Sequence, residues 1–269
     1  MNFKKRAIKT QPEVLEAIIL GAQGAGKSGL IGTAPGPTLQ LICSTETHGA
    51  YGASATGDNV TSICYDRDEA DKTLKPEEAL ECLSEALNGA LKAGFKTVAI
   101  DGLNELERLI RATPRFTELC KSSSGKHSVF EEPVAVKVMM NEIIGLLKVL
   151  ESKGVNVIVT CDLDVRDKGY NGEILDSKPR LSTYSVVENA VQKFRDVLVV
   201  GMMSNDKGES GRCIQFLAGV SRDSKDKNGR ISKTINFQPR LGGIPDGEVP
   251  KYHKADLEAL LTYKKEKLK

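Results

Sequence analysis

The stretch EAIILGAQGAGKSGLIG, residues 16–32, decides how this chain is read. Ala17–Leu20 is an apolar run of strand length, and Gly21, Gly24 and Gly26 then crowd into a turn that closes on Lys27 and Ser28. From Gly21 to Ser28 the spacing G-x-x-x-x-G-K-S satisfies every fixed position of a phosphate-binding loop, with an apolar strand ahead and a helix-capable segment behind. Glycines let the backbone curl until several N–H groups face inward on a phosphate. The helix expected from about Lys27 to Thr33 adds the positive end of its peptide dipoles. Gly21, Ala22, Gln23, Gly24, Ala25, Gly26, Lys27, Ser28 and Gly29 then form a nucleotide cradle, with Lys27 as the cation for the β- and γ-phosphates and the Ser28 hydroxyl for Mg²⁺. The ligands so implied are ATP and Mg²⁺. A glycine-rich turn without a ligand is the bland alternative.

Outward from the loop, strands alternate with helices. Pro35 and Pro37 stop the first helix. Strands are expected at 38–43, 59–65, 96–101, 155–161 and 196–202, and helices at 76–94, 103–112, 133–154 and 184–194. The run KTVAID, 96–101, is nearly continuous in apolar residues, as in a parallel strand buried on both faces. The pattern predicts an α/β fold, a mostly parallel sheet flanked by helices, with an antiparallel extension at the C-terminal end. Residues 113–132 show no period and 164–180 are polar, so both are expected as loops, the second a hairpin centred on Asn171-Gly172. Residues 212–220 and 230–237 are expected as neighbouring antiparallel strands joined through SRDSKDKNG, followed by a loop at 240–250 and a closing helix. The implied division is a basic tail at 1–14, a core at 15–237, and a loop and helix with a basic tail at 238–269.

Composition bounds the rest. A net charge of +2 on 269 residues means that any nucleic-acid site must come from local clustering of cations. The six cysteines stand singly, without a C-x-x-C pair, and read as reduced thiols of a cytoplasmic protein. The three histidines lie far apart and form no zinc pattern, and no apolar run approaches the roughly 20 residues of a membrane span.

A phosphate loop needs a second acid for its metal. Asp101 ends the strand KTVAID, where its carboxylate emerges at the edge beside the loop; the competing reading is a helix N-cap. Hydrolysis further needs a carboxylate that orients water. In many helicase- and protease-type ATPases it directly follows the strand-end Asp, but here Gly102 follows. Glu46, just after the second strand, is the favoured base, with Glu105 as the competitor one helical turn past Asp101. Thr160 is read as the end of its strand, within reach of the attacking water or the γ-phosphate, or as a plain strand-end Thr.

The phosphate loop, Thr45-Glu46 after the second strand, TVAIDGLNEL and VIVTCDL occur in that order, and over roughly residues 15–237 the chain resembles the RecA-type P-loop ATPases. It most closely resembles their short phage-encoded members, the AAA-domain nucleotide-binding proteins that include RecA-like single-strand annealing proteins. The resemblance implies a RecA-like core, ATP hydrolysis with Mg²⁺, and a homo-oligomer, ring or filament, in which one subunit supplies cations to its neighbour's nucleotide. Arg222 and Lys225, with Lys227 behind them, fit that role by position; the alternative is a solvated turn. The implied activity is an ATPase coupled to single-stranded DNA in recombination, annealing or replication. Its DNA-facing segments would be 113–132 and 164–180, which carry Arg115, Lys121, Lys126, Arg166, Lys168, Lys178 and Arg180. Two other classes stay open: an assembly ATPase that uses ATP as an oligomerisation switch without nucleic acid, and a small-molecule kinase.

Overall fold

A computed structural model describes residues 14–268 apart from 123, 182–183, 205–206, 208, 217–219 and 226–230. In chain order the elements are β1 (Glu16–Gly21), α1 (Lys27–Ile31), β2 (Thr38–Ile42), α2 (Thr47–Ser54), β3 (Val60–Cys64), α3 (Pro76–Ala90), β4 (Thr97–Asp101), α4 (Leu103–Arg111), α5 (Pro114–Leu119) and α6 (Glu132–Ser152). There follow β5 (Asn156–Lys168), β6 (Ile174–Pro179), α7 (Tyr184–Lys193), β7 (Asp196–Ser204), β8 (Ser210–Gln215), β9 (Val220–Lys225), β10 (Ile231–Phe237), β11 (Tyr252–Lys254) and α8 (Leu257–Lys267).

The fold is α/β, with a mostly parallel mixed sheet flanked by helices and some antiparallel strands. The main sheet runs β11-β8-β7-β1-β5-β4-β2-β3, with β6 hydrogen-bonded to β5 away from this path. From β7 to β3 every pairing is parallel, while β8 and β11 add antiparallel strands at one side. The central strands are apolar on both faces because each face is covered. Along β1, Ile18 and Leu20 enter one core while Ala17 and Ile19 enter the other; Val157 and Val159 of β5 oppose Ile158 in the same way. The first core is closed by α3, α4, α6 and α7, the second by α1 and α8.

Several sequence expectations change. Helix α1 ends at Ile31, two residues short of Thr33. Residues 113–132 include α5, started by Thr113, whose hydroxyl accepts from the Phe116 amide, and by Pro114 at the first helical position. Phe116 buries that helix in the first core, so the segment is not a free loop. Strand β5 runs on to Lys168, and 164–180 is a β5–β6 hairpin whose register shifts between Val165 and Lys168 and which turns at 169–173, around the expected Asn171-Gly172. Strand β8 pairs with β7 and β11; β10 pairs instead with β9, so residues 221–225, expected in the connection, belong to a strand that starts at Val220. For β9 and β10 the backbone alone is described. Among the described residues no helix is long and apolar enough to cross a membrane. All six cysteines are free.

The chain after residue 237 packs into the body of the fold. Leu257, Leu260 and Leu261 of α8 join the second core, and β11 extends the main sheet. Lys264 is almost fully buried and donates to both oxygens of Asp196 at 2.6 and 2.8 Å. The same carboxylate accepts from the backbone amides of Glu16 at 2.9 Å and Gly242 at 2.8 Å, so one buried ion pair ties α8 to the start of β1 and β7. Removing one partner strands a charge in the interior. Lys264→Met is expected to cost about 3–5 kcal/mol in chemical denaturation, while Lys267→Met at the exposed end of the same helix stays within about 0.5 kcal/mol.

Candidate phosphate-binding site

A cavity of ≈ 500 Å³ opens at the carboxyl ends of β1, β2 and β4, beside the middle of β5. Gln23, Gly24, Gly26, Lys27, Ser28 and Gly29 line it from the β1–α1 turn; Gly21, Ala22 and Ala25 support that turn from behind without facing the cavity. Strand order explains why distant residues meet here. Strand β5 lies between β1 and β4, and β2 follows β4, so parallel strands deliver Asp162, Thr160, Asp101 and Glu46 to one edge.

Lys27 is held by three acceptors: the Gly21 carbonyl at 3.1 Å, the Ala22 carbonyl at 3.2 Å and Asp162 Oδ1 at 2.6 Å. An ammonium has three protons, so this residue is fully engaged. Asp162 was missed from sequence, although it lies two positions beyond Thr160 on the same strand and therefore on the same face. Its backbone amide donates to Asn104 Oδ1 at 2.8 Å, and Asn104 in turn donates to the Arg180 carbonyl.

Asp101 is buried and fixed from both sides. Oδ1 accepts from the Thr160 hydroxyl at 2.6 Å and Oδ2 from the Gln40 side-chain amide at 2.8 Å; Ser62 donates to the other end of Gln40 at 2.7 Å. Four strands thus fix one carboxylate. Thr160 lines the cavity, but its hydroxyl proton is committed to Asp101 and its oxygen accepts from the Gly102 amide at 2.8 Å. It also stands mid-strand, not at a strand end, so it holds Asp101 rather than reaching for a phosphate.

Gly49 of α2 marks where Ser28 and Asp101 converge. A Cβ there would lie 2.6 Å from Asp101 Oδ2 and 3.0 Å from Ser28 Oγ, closer than packed atoms stand. The missing methyl keeps open a space bordered by a hydroxyl and a carboxylate. That donor set suits a hard cation such as Mg²⁺, which binds a protein through one or two oxygens and keeps the rest of its shell as water and phosphate. Among the described residues no cluster of three or more His, Cys, Asp or Glu offers a self-sufficient metal cage.

The two candidate bases separate. Glu46 ends one turn of 3₁₀ helix after β2 and lines the cavity. Glu105 does not; its Oε2 accepts from Arg108 Nε at 2.7 Å. Gly102, at φ +105°, explains the absent carboxylate after Asp101: a Cβ there would be strained and would stand 3.4 Å from Glu46 Cγ. Glu46 thus approaches the place next to Asp101 from the 3₁₀ turn after β2. Partial burial, then the charges of Asp162, Asp101 and Glu105, push its carboxyl above the usual range against the pull of Lys27.

The expected DNA-facing cations are mostly paired. Arg115 makes a two-pronged contact with Glu142 at 2.7 and 2.5 Å, and Lys121 meets Glu118 at 2.6 Å. On the hairpin, Arg166 faces Asp176 at 3.5 Å, Lys178 faces Asp164 at 3.7 Å, and Arg180 also binds Asp164. Among the described residues Lys126 and Lys168 have no carboxylate partner. Arg222 and Lys225 lie in β9, opposite Ile235 and Ile231. Lys227 and the N-terminal tail, 1–13, fall outside the described residues. No protein-family model matches the chain, and no curated protein matches it significantly.

The raised Glu46 carboxyl has a signed consequence. Its folded-state pKa lies above the unfolded value, so its contribution is most favourable at low pH and is lost as pH rises through the folded pKa. Glu46→Gln is therefore expected to raise the thermal midpoint at mildly alkaline pH, and the gain should vanish as the pH falls to where wild-type Glu46 is protonated. A midpoint difference independent of pH would overturn this account of the site.

Proposed function

We propose that this chain is a Mg²⁺-dependent ATPase of the RecA-like kind, with hydrolysis coupled to single-stranded DNA. One observation carries the ATPase reading: Lys27 and Ser28 of a phosphate-loop sequence share a single cavity with Asp101 and Glu46, delivered from two other strands of the same parallel sheet. The RecA-like assignment draws on Glu46 following β2 and on β5 standing between β1 and β4. Bound Mg²⁺ supplies positive charge to the phosphate oxygens. The loop amides and Lys27 bind the phosphate chain, Ser28 and Asp101 hold the metal or its water, and Glu46 orients the water opposite the leaving group. Lys27 must leave Asp162 to grip a phosphate, so the resting pair competes with the ligand.

DNA coupling rests on the β5–β6 hairpin. Tyr170 at its tip is fully exposed, and Lys168 lies beside it with no carboxylate partner among the described residues. An aromatic face and a nearby cation are the chemistry for stacking a base and neutralising a phosphate. The second reading, an ATP-driven change of assembly without nucleic acid, is favoured by the pairing of Arg115, Lys121, Arg166, Lys178 and Arg180 with neighbouring acids.

Phosphate release with and without single-stranded DNA tests both. Turnover that rises with DNA, and DNA binding that weakens steeply with salt, support the first reading; a nucleotide-dependent size change with no DNA effect supports the second. Lys27→Ala should abolish nucleotide binding or turnover. Glu46→Gln should retain binding and lower turnover by about 10²-fold or more; normal turnover in Glu46→Gln together with loss in Glu105→Gln would reassign the base. Asp162→Asn frees Lys27 and should tighten nucleotide binding by a few-fold, roughly the value of one charge-assisted hydrogen bond less its replacement.

A further inference from the structure

Arg212 lies in β8, opposite Met202 of β7, far in sequence from the phosphate loop. Its side chain nevertheless lines the same cavity. A Cβ on Gly26 would stand 2.6 Å from Arg212 Nε and 2.8 Å from both Cδ and Cζ, and one on Gly29 would stand 3.5 Å from Nη1. The guanidinium is thus laid across the loop, over the glycine that precedes Lys27. The residue is exposed, and no hydrogen bond or ion pair fixes its guanidinium among the described residues. The other cation of the site, Lys27, is by contrast fully engaged.

Sheet order brings Arg212 to the loop from the side opposite the carboxylates. Asp162, Asp101 and Glu46 approach from β5, β4 and β2 on one side of β1; Arg212 approaches from β8, beyond β7 on the other. Charge that builds during hydrolysis belongs to the side holding the metal and the water-orienting carboxylate. A cation on the opposite side meets the part of the phosphate chain that remains with the product.

We propose that Arg212 is a nucleotide-binding residue supplied by the same chain, which takes hold of the non-transferred phosphates of a bound nucleoside triphosphate. The inference rests on the ATPase reading and adds a second cation to its cradle. A guanidinium presents several N–H donors in a rigid plane, suited to two phosphate oxygens at once, and this one needs to surrender no partner among the described residues to do so. Because the contact persists in the diphosphate, it contributes equally before and during bond breaking, so it governs affinity and not the chemical step.

The test is steady-state turnover with Mg-ATP and calorimetric binding of ADP by the full chain and by Arg212→Ala and Arg212→Lys. Thermal melting of each variant checks the fold, which a change at this exposed position should leave intact. Arg212→Ala should raise KM and the ADP dissociation constant by about ten-fold, the scale of a charge-assisted hydrogen bond, while kcat stays within about two-fold. Arg212→Lys, which keeps the charge and loses the planar fork, should recover part of the loss. A fall in kcat at constant KM would place Arg212 on the transferred phosphate and overturn the proposal, as would unchanged ADP affinity in Arg212→Ala. Wild-type protein that neither binds nor turns over ATP defeats the ATPase reading itself, and this inference with it; wild-type turnover that is indifferent to Arg212→Ala defeats this inference alone.

Discussion

The site depends on how one buried carboxylate is held. Asp101 accepts from Thr160 of β5 and from Gln40 of β2, and Gln40 is itself oriented by Ser62 of β3. These bonds span four adjacent strands at one edge of the sheet. A carboxylate buried without donors is costly, and one fixed by two donors keeps a defined direction. Gly49, having no Cβ, lets that carboxylate and the Ser28 hydroxyl stand close to the same point of α2. Glu46 stands close by, and its carboxyl pKa is raised first by its own partial burial and then by the charges of Asp162 and Asp101.

The parallel core was legible because it is repetitive physics. Each central strand lies between two helix layers, so it reads as an unbroken apolar run, and the helices between strands keep an apolar stripe. Outside that two-sided core the rule lapses. Strand β5 continues as the alternating DLDVRDK, whose polar residues resemble loop composition, and β9 reads SRDSK, with no apolar residue after Val220. Helix α5 was signalled by Thr113-Pro114, yet its six residues are too few for a period to show.

At the site, local patterns were legible and partnerships were not. The loop, Asp101 and Glu46 follow from motif and strand-end position. Gln40 stands in the middle of the apolar run TLQLI, and a polar residue at such a place needs a buried partner; the partner's identity depends on strand order. The role of Thr160 depends on strand order for the same reason, since its hydroxyl proton goes to Asp101 of the neighbouring β4. Arg212 carried no sequence signal. It meets the loop only because β8 turns back against β7, a pairing unrelated to the loop's own motif.

The placement of β1 ties the glycine loop to distant parts of the sequence. Strand β1 lies between β5 and β7, and its first amide is fixed by Asp196, 180 residues later, whose own charge is matched by Lys264 of α8. Such long-range pairing makes loop closure the slow part of assembly. Loosening α8 also reaches the strand that carries the glycine loop: with Lys264 withdrawn, Asp196 is left buried without its cation beside the amide that starts β1.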